Sequence, residues 1–460
     1  MHALDALRAA EDGYRYLDEG GHVYLDHTGA GLPARAQLWA HAERIAGGCF
    51  GNPHSVSPAS EASGELVERA RRRVLAHFGA DPREYAVVFT ANATGACRLV
   101  GEAYPFAPGG RLVLTLDNHN SVNGLREYAR SRGADTVYVP LRAPGLDLDA
   151  AAMDAVLAAA PEGGGLLAYP AQSNFSGVRH SLDWITRAKA AGWDVLLDAA
   201  AYVPTNPLDL AAVHPDFVAV SWYKVFGYPT GVGCLVARRD ALARLRRPWF
   251  SGGTIHVVSA QGLWHHMAEG EAAFEDGTVN YLSIPDIEFG LDWIRAIGTD
   301  AIHRHVTALT AELLDGLAAL RHSGGEPLAR VYGPSDTTGR GGTVALNLLG
   351  PDGAVVDERI VARDSAAHRI SLRTGCFCNP GTGEAAFAIE RRTLDGAVRT
   401  ATGTIDDYLG RLGLPSGGAV RVSLGLSSSR ADVAAFLDFV AGTYRDRRPD
   451  PAGLSPRLVC

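Results

Sequence analysis

The sequence predicts an α/β protein, with a large domain built on a mainly parallel seven-stranded sheet and a smaller C-terminal α/β domain. Two observations carry this. From about Tyr85, short β-rich runs alternate strictly with amphipathic stretches, the pattern of a right-handed, mainly parallel sheet covered on both faces. After about Tyr281 the texture changes to two long helical stretches followed by strand-like runs.

Taken in order, residues 1–63 precede the alternation and are expected to form an arm that leans on both domains. Residues 64–283 form the expected large domain and 284–460 the small one. In the large domain, strands are expected at 85–90, 111–116, 136–141, 165–170 and 194–197, with helices at 94–104, 123–132, 148–159 and 182–191 between them. Phe217-Val218-Ala219-Val220 reads as a buried parallel strand and 234–237 as another. In the small domain, helices at 284–296 and 303–320 lead into strands at 342–348, 370–373 and 419–424. A last helix has Val433, Phe436, Leu437 and Val440 on one face and Ser429 as its N-cap. Residues 334–342 read as a mobile loop and 446–456 as a polar tail.

Composition excludes several classes. A chain of 460 residues, 47% hydrophobic and 20% charged, is ordinary globular material. A net charge of -8 and a pI near 6.1 give no bias toward nucleic acid or anionic membrane. The first residues carry charges where a signal peptide needs an apolar core, and no uncharged run approaches the ~20 residues of a membrane helix. A cytoplasmic protein is expected, with neither nucleic acid nor membrane as partner. The six cysteines, Cys49, Cys97, Cys234, Cys376, Cys378 and Cys460, are few and scattered. A disulfide scaffold is therefore not expected, and no second pair completes a zinc site beside Cys376 and Cys378.

Sheets of this kind place their sites at the carboxyl ends of the strands. Lys224 ends the apolar run that begins at Phe217, and glycines follow, so a strand is expected to end there and a tight loop to begin. A lysine at such a sheet edge has lost water, which lowers its pKa and favours the neutral amine needed for a Schiff base with an aldehyde cofactor. Asp198 ends the run Val195-Leu196-Leu197, where a carboxylate is costly without a cation such as a protonated pyridine nitrogen. An N-cap or a plain ion pair is the competing reading. Phe89-Thr90-Ala91-Asn92-Ala93-Thr94-Gly95 joins a strand to a helix, and its backbone N–H groups with the Thr94 hydroxyl make a phosphate seat. His119 follows the next strand and reads as an aromatic cation able to stack on a flat ring. Phosphate seat, aromatic cation, carboxylate and lysine are the parts that pyridoxal 5'-phosphate needs.

The chain resembles the class V aminotransferases, fold-type I pyridoxal phosphate-dependent enzymes that include the cysteine desulfurases and the desulfurase-like N-terminal domain of molybdenum cofactor sulfurases. The resemblance rests on Tyr24-Leu25-Asp26-His27-Thr28-Gly29-Ala30-Gly31, Gly51-Asn52-Pro53-His54-Ser55, Asp117-Asn118-His119, Leu197-Asp198-Ala199-Ala200-Ala201, residues 221–233, Phe274-Glu275-Asp276-Gly277-Thr278 and Arg373-Thr374-Gly375-Cys376-Phe377-Cys378-Asn379-Pro380. It implies Lys224 as the Schiff-base lysine, Asp198 as partner of the pyridine nitrogen and His119 as the stacking ring. Ala93, Thr94 and Ser221 match phosphate-binding positions. Thr278 matches a phosphate contact from the neighbouring subunit, hence a homodimer. Asn174 matches a residue near the cofactor hydroxyl and the substrate. Arg421 and Arg373 match small-domain arginines, Arg421 being the better clamp for the substrate carboxylate.

Cys378 separates a desulfurase from an aminotransferase. Its small, polar loop, with Gly375, Pro380, Gly381 and Gly383, is expected to let the thiol swing, and Arg373 to favour the thiolate. The expected reaction starts when L-cysteine displaces Lys224, which then removes the Cα proton. The Cys378 thiolate attacks the substrate sulfur, leaving alanine and a persulfide for an unknown sulfur acceptor, with His119 protonating or orienting the leaving species. Ala201 and Tyr223 depart from many desulfurases, and both are shared with the sulfurase type. The segment after Pro380 lacks a further cysteine often found there. The chain ends at Cys460 without the acceptor-binding domain of those sulfurases, so a carrier protein or a small intermediate is the expected acceptor. The alternatives are a C–S or β-eliminating lyase, an aminotransferase or an epimerase with Cys378 structural, and a cofactor-free scaffold binding a sulfur-relay partner. Cys376 and Cys460 are the other candidate sulfur carriers.

Overall fold

Seven strands form one sheet: β1 (Tyr85–Thr90), β2 (Arg111–Thr115), β3 (Asp135–Val139), β4 (Gly165–Pro170), β5 (Asp194–Asp198), β6 (Phe217–Ser221) and β7 (Gly233–Arg238). Their order across the sheet is β1-β7-β6-β5-β4-β2-β3. The structure is a computed structural model that describes residues 3–159, 161, 163–398, 404–414 and 416–457. Both faces of the sheet are covered, because alternate residues of one strand enter different cores. Val87 and Phe89 pack in one and Ala86 and Val88 in the other, and Leu167 and Tyr169 part from Leu166 and Ala168 in the same way.

Strand β7 corrects one expectation, since it runs antiparallel to both β1 and β6 rather than parallel. Only residues 222–232 separate it from β6, too few for the crossover that a parallel return requires. A second correction concerns Lys224. The residues after Ser221 coil into a short helix, Trp222–Phe226, instead of opening at once into a loop. Gly227 ends that helix at φ 78°, and a β-carbon there would run into Leu32 and Pro33 of the N-terminal segment.

A second, antiparallel sheet holds β8 (Ala329–Tyr332), β9 (Thr343–Leu348), β10 (Arg373–Gly375) and β11 (Ala419–Ser423), in the order β8-β9-β11-β10. The last helix, Arg430–Tyr444, begins at Ser429 with a capping box completed by Asp432. Val23–Tyr24 pairs with Ile370–Ser371, the Ser423 N–H bonds the Leu25 carbonyl at 2.7 Å and the Gly31 N–H bonds the Tyr223 carbonyl at 3.0 Å, so the N-terminal segment touches both the small sheet and the lysine helix. Helix Pro58–His77 runs unbroken across the expected arm boundary at 63. The 334–342 segment is irregular but anchored, against the expectation of a mobile loop. Arg340 is buried and donates to the carbonyls of Ser176, Tyr332 and Pro334. Just past the expected polar tail, the guanidinium of Arg457 meets Asp357, Glu358 and Asp406. A hairpin of Ile255–Ser259 and Trp264–Met267 was not anticipated from the sequence.

Candidate active site

The carboxyl ends of β1, β2, β4, β5 and β6 bring together the residues singled out above. Lys224 is half-buried on its short helix, and burial lowers its pKa against the opposing pull of Asp198. Asp198, 8% exposed, accepts one hydrogen bond among the described residues, from the Ala200 N–H to Oδ1 at 3.0 Å. Its second oxygen is uncommitted. His119 feels the charges of Asp198, Lys224, Arg421 and Arg373, and burial takes its pKa down to about 4. Its Nδ1 accepts the Ser121 N–H at 3.1 Å, which leaves the ring proton on Nε2. His119 is therefore a neutral ring at pH 7 rather than the aromatic cation expected.

At the start of helix Ala93–Ala103, Asn92 caps the Gly95 N–H at 2.9 Å, and the Ala93 N–H bonds Ser221 Oγ at 2.9 Å. That second bond joins the ends of β1 and β6. Thr94 Oγ1 lies 2.7 Å from Ser121 Oγ, so hydroxyls link the helix start to the His119 ring. Thr278 is exposed, lines the same cavity as Asn92, Thr94 and Gly95, and meets Asn52 at 3.1 Å. Glu275, three residues earlier, is tied to β1 through the Phe89 N–H at 2.8 Å and through Arg71 at 2.9 Å.

Arg421 is 2% exposed and already engaged. Its Nη2 meets Asp26 at 2.6 Å, its Nη1 donates to the Asn174 carbonyl at 3.0 Å, and its guanidinium lies 4.9 Å from the Phe377 ring centroid. Its Nε is buried without a partner. Arg373 faces Arg421 across β10 and β11, and Asp26, 3.9 Å from Arg373, offsets both charges. Arg373 is itself exposed.

The Cys378 loop departs most from expectation, because it is pinned rather than free to swing. Asn174 Nδ2 donates to the Phe377 carbonyl at 2.8 Å, and the Asn120 N–H donates to the Cys378 carbonyl at 2.7 Å. Phe377 packs on Phe175 with ring centroids 5.0 Å apart. Phe377 and Cys378 hold φ of 56° and 54°, which costs on the order of 1–2 kcal/mol per residue and has to be offset by such contacts. Cys378 is half-buried with a free thiol, whereas Cys376 is held in a disulfide. Cys460 lies outside the described residues. Both ends of the Asn174 amide are committed to this loop, Nδ2 to the Phe377 carbonyl and Oδ1 to Asn379, a use that its expected place beside cofactor and substrate did not disclose. Sequence reasoning also missed Asp26, Ser121 and Asn379. Asp26 and Asn379 lie inside motifs already marked, but nothing local reveals their partners.

The architecture is that of fold-type I α/β transferases. A cysteine desulfurase from Thermococcus onnurineus matches it with a TM-score of 0.79 at 24% identity, covering 96% of this chain and 98% of its own. A cystine C–S lyase solved with its product cysteine persulfide matches at 0.70 and 20% identity, covering 93% of this chain and 99% of its own. Residues 23–436 match the class V aminotransferases, and the chain belongs to that family. Molybdenum cofactor sulfurases are similar along nearly the whole chain. The Solanum lycopersicum protein is 36% identical over 99% of this chain and 59% of its own length, and the Homo sapiens protein 35% over 96% and 51%. The chain thus spans between half and three-fifths of these relatives.

Proposed function

We propose that this protein is a pyridoxal 5'-phosphate-dependent cysteine desulfurase, removing sulfur from L-cysteine to give alanine and a Cys378 persulfide that passes to an acceptor protein or small molecule. The observation that supports the reading is the 2.7 Å bond from the Asn120 N–H to the Cys378 carbonyl, which holds the backbone of a residue with a free thiol against the residue that follows His119.

The residues present fit the cofactor. Lys224 has an amine whose pKa burial lowers, Asp198 keeps one oxygen uncommitted, and a capped helix start closes the end of β1. Lys224 would hold the aldehyde, Asp198 the pyridine nitrogen and His119 the ring face. Ala93, Thr94 and Ser221 would hold the phosphate, with Thr278 contributed from the neighbouring subunit, and Asn174 the ring hydroxyl. When bound, the cofactor supplies a carbonyl carbon for the substrate amine and an electron-poor ring that accepts the Cα electron pair.

The chain's own residues do the rest. Arg421 offers its open Nε–H to the substrate carboxylate, with Arg373 beside it. Lys224 takes the Cα proton as general base. The Cys378 thiolate attacks the substrate sulfur, and an S–S bond forms as the Cβ–S bond breaks. The electron pair of that bond goes to carbon, which takes up a proton to become the methyl of alanine. Cysteine and one enzyme thiol give alanine and one persulfide, so oxidation of sulfur is matched by reduction of carbon and no outside oxidant enters. His119, with its ring proton on Nε2, orients or protonates the leaving species.

A homodimer in the cytoplasm belongs to the same proposal. No helix among the described residues is long and apolar enough to cross a membrane. Trp249, Phe250, Val257, Val258 and Trp264 expose an apolar face on and before the hairpin, and the Gly277 N–H bonds the Gly252 carbonyl at 2.8 Å, which sets Thr278 beside its root. Because a C–S lyase shares the fold, the products decide between readings: pyruvate and ammonia in place of alanine would favour the lyase. The test is intact mass after incubation with pyridoxal phosphate and L-cysteine, wild type against Cys378→Ala, with native mass spectrometry of the same samples reading the dimer. One added sulfur on wild type alone is expected. An adduct that survives the substitution assigns the chemistry elsewhere.

A further inference from the structure

We propose that Asn379 is a positioning residue whose carboxamide clasps the Cys378 loop to the strand ends carrying His119 and Asn174, so that the thiol works from a fixed place. This rests on the desulfurase reading above and deepens it.

Asn379 is fully buried, with both ends of its amide in use. Nδ2 donates to the Asp117 carbonyl at 2.7 Å and to Asn174 Oδ1 at 2.9 Å. Oδ1 accepts from the Thr382 hydroxyl at 2.8 Å and the Thr382 N–H at 3.2 Å, capping helix Pro380–Ala386. Its own N–H closes the loop onto the Cys376 carbonyl at 3.0 Å. One side chain thus joins the loop, the helix after it, the end of β2 and the end of β4. The Asn174 amide it orients is the one that holds the Phe377 carbonyl. Close packing supports the clasp, because a β-carbon on Gly381 would run into the Leu116 carbonyl, so the helix lies directly against the chain leading to His119.

The chemistry gives such a clasp a use. Attack on the substrate sulfur needs the thiolate in line with a breaking Cβ–S bond, and a misplacement of about 1 Å costs on the order of 10²-fold in rate. Phe377 and Cys378 hold left-handed backbone that would relax if the surrounding bonds were removed. The capping role and the clasp separate in one substitution. Asn379→Ser keeps a side-chain oxygen for the helix start but loses both N–H bonds to Asp117 and Asn174.

Two readouts test this on the full chain. Iodoacetamide labelling of Cys378, followed by peptide mass, requires no turnover, and Asn379→Ser is expected to label about 10-fold faster than wild type as the loop loosens. Turnover is then compared on L-cysteine, which needs the thiol, and on L-cysteine sulfinate, which with one water gives alanine and sulfite without it. The variant is expected to lose about 100-fold on cysteine and less than threefold on the sulfinate. An unchanged labelling rate, or equal losses on the two substrates, overturns the proposal. If wild type turns over neither substrate, the desulfurase reading fails while labelling still judges the clasp. Asn379→Asp, which keeps the shape and loses the same donors, serves if the serine variant does not fold.

Discussion

The two segments that carry the proposed chemistry are held by different means. Residues 221–233 are fixed by the core. Trp222 stacks on Phe226 at 5.8 Å, Val225 and Phe226 are buried, and Gly227 admits the N-terminal segment against the helix. Residues 375–379 are fixed by amides, in strained backbone, around a half-buried thiol. The difference follows the task of each group. An amine whose pKa burial lowers has to stay out of water, because exposure would restore its ordinary value. A thiol that receives sulfur and passes it on has to remain reachable, so hydrogen bonds place it where core packing would enclose it.

The comparison sharpens under substitution. Lys224→Ala is expected to lower alanine formation from cysteine by on the order of 10⁴-fold and to do the same to cysteine sulfinate. Cys378→Ala is expected to lower the first as severely and spare the second, read as alanine formed from each substrate. If the two variants fall alike on both substrates, the division of labour is wrong.

Asp26→Asn comes next. It leaves Arg421 buried beside Arg373 without an anion, and breaking a buried pair is destabilising. A loss of about 3 kcal/mol is expected in chemical denaturation. Saturating L-alanine, whose carboxylate Arg421 is proposed to bind, is expected to restore part of it only when pyridoxal phosphate is present. No loss would show that Asp26 does not hold the arginine.

The effect spread over the widest range of conditions is on acid stability. Burial, with Arg8 adding to it, lowers the pKa of His27 to about 3, from an ordinary value of 6.5. Between those values the unfolded chain binds a proton that the folded chain refuses, so stability falls as pH drops through the window and is recovered above 6.5. The contribution is up to about 1.4 kcal/mol per pH unit. His27→Gln is expected to flatten the pH dependence of denaturant unfolding by that slope. An unchanged slope would place the acid sensitivity on His77 and His119, whose pKa values are lowered to about 4.

Much of the fold was legible in the chain. The apolar runs that end in Thr90, Pro170 and Asp198 mark strands whose far ends carry polar residues, and a site at those ends follows from parallel topology. Ser429 announced its helix, because a cap and its capping-box partner are three residues apart. The antiparallel return of β7 was not read, although the shortness of its connection held the clue. His119 was read as a cation because a motif names a residue but not its solvation.

By itself, then, the sequence determined most of the sheet, the strand-end carboxylate, a lysine close behind a strand, and the presence of a cysteine in a glycine-rich turn, since each depends on neighbours within a few residues. Only the tertiary structure decided that Asp26 meets Arg421 across 395 positions, that Asn379 reaches Asp117 across 262, and that the Cys378 loop is clasped. Periodicity and spacing record which face of an element is buried. A hydrogen bond between distant side chains leaves no such record, because either partner would look the same in the chain without the other.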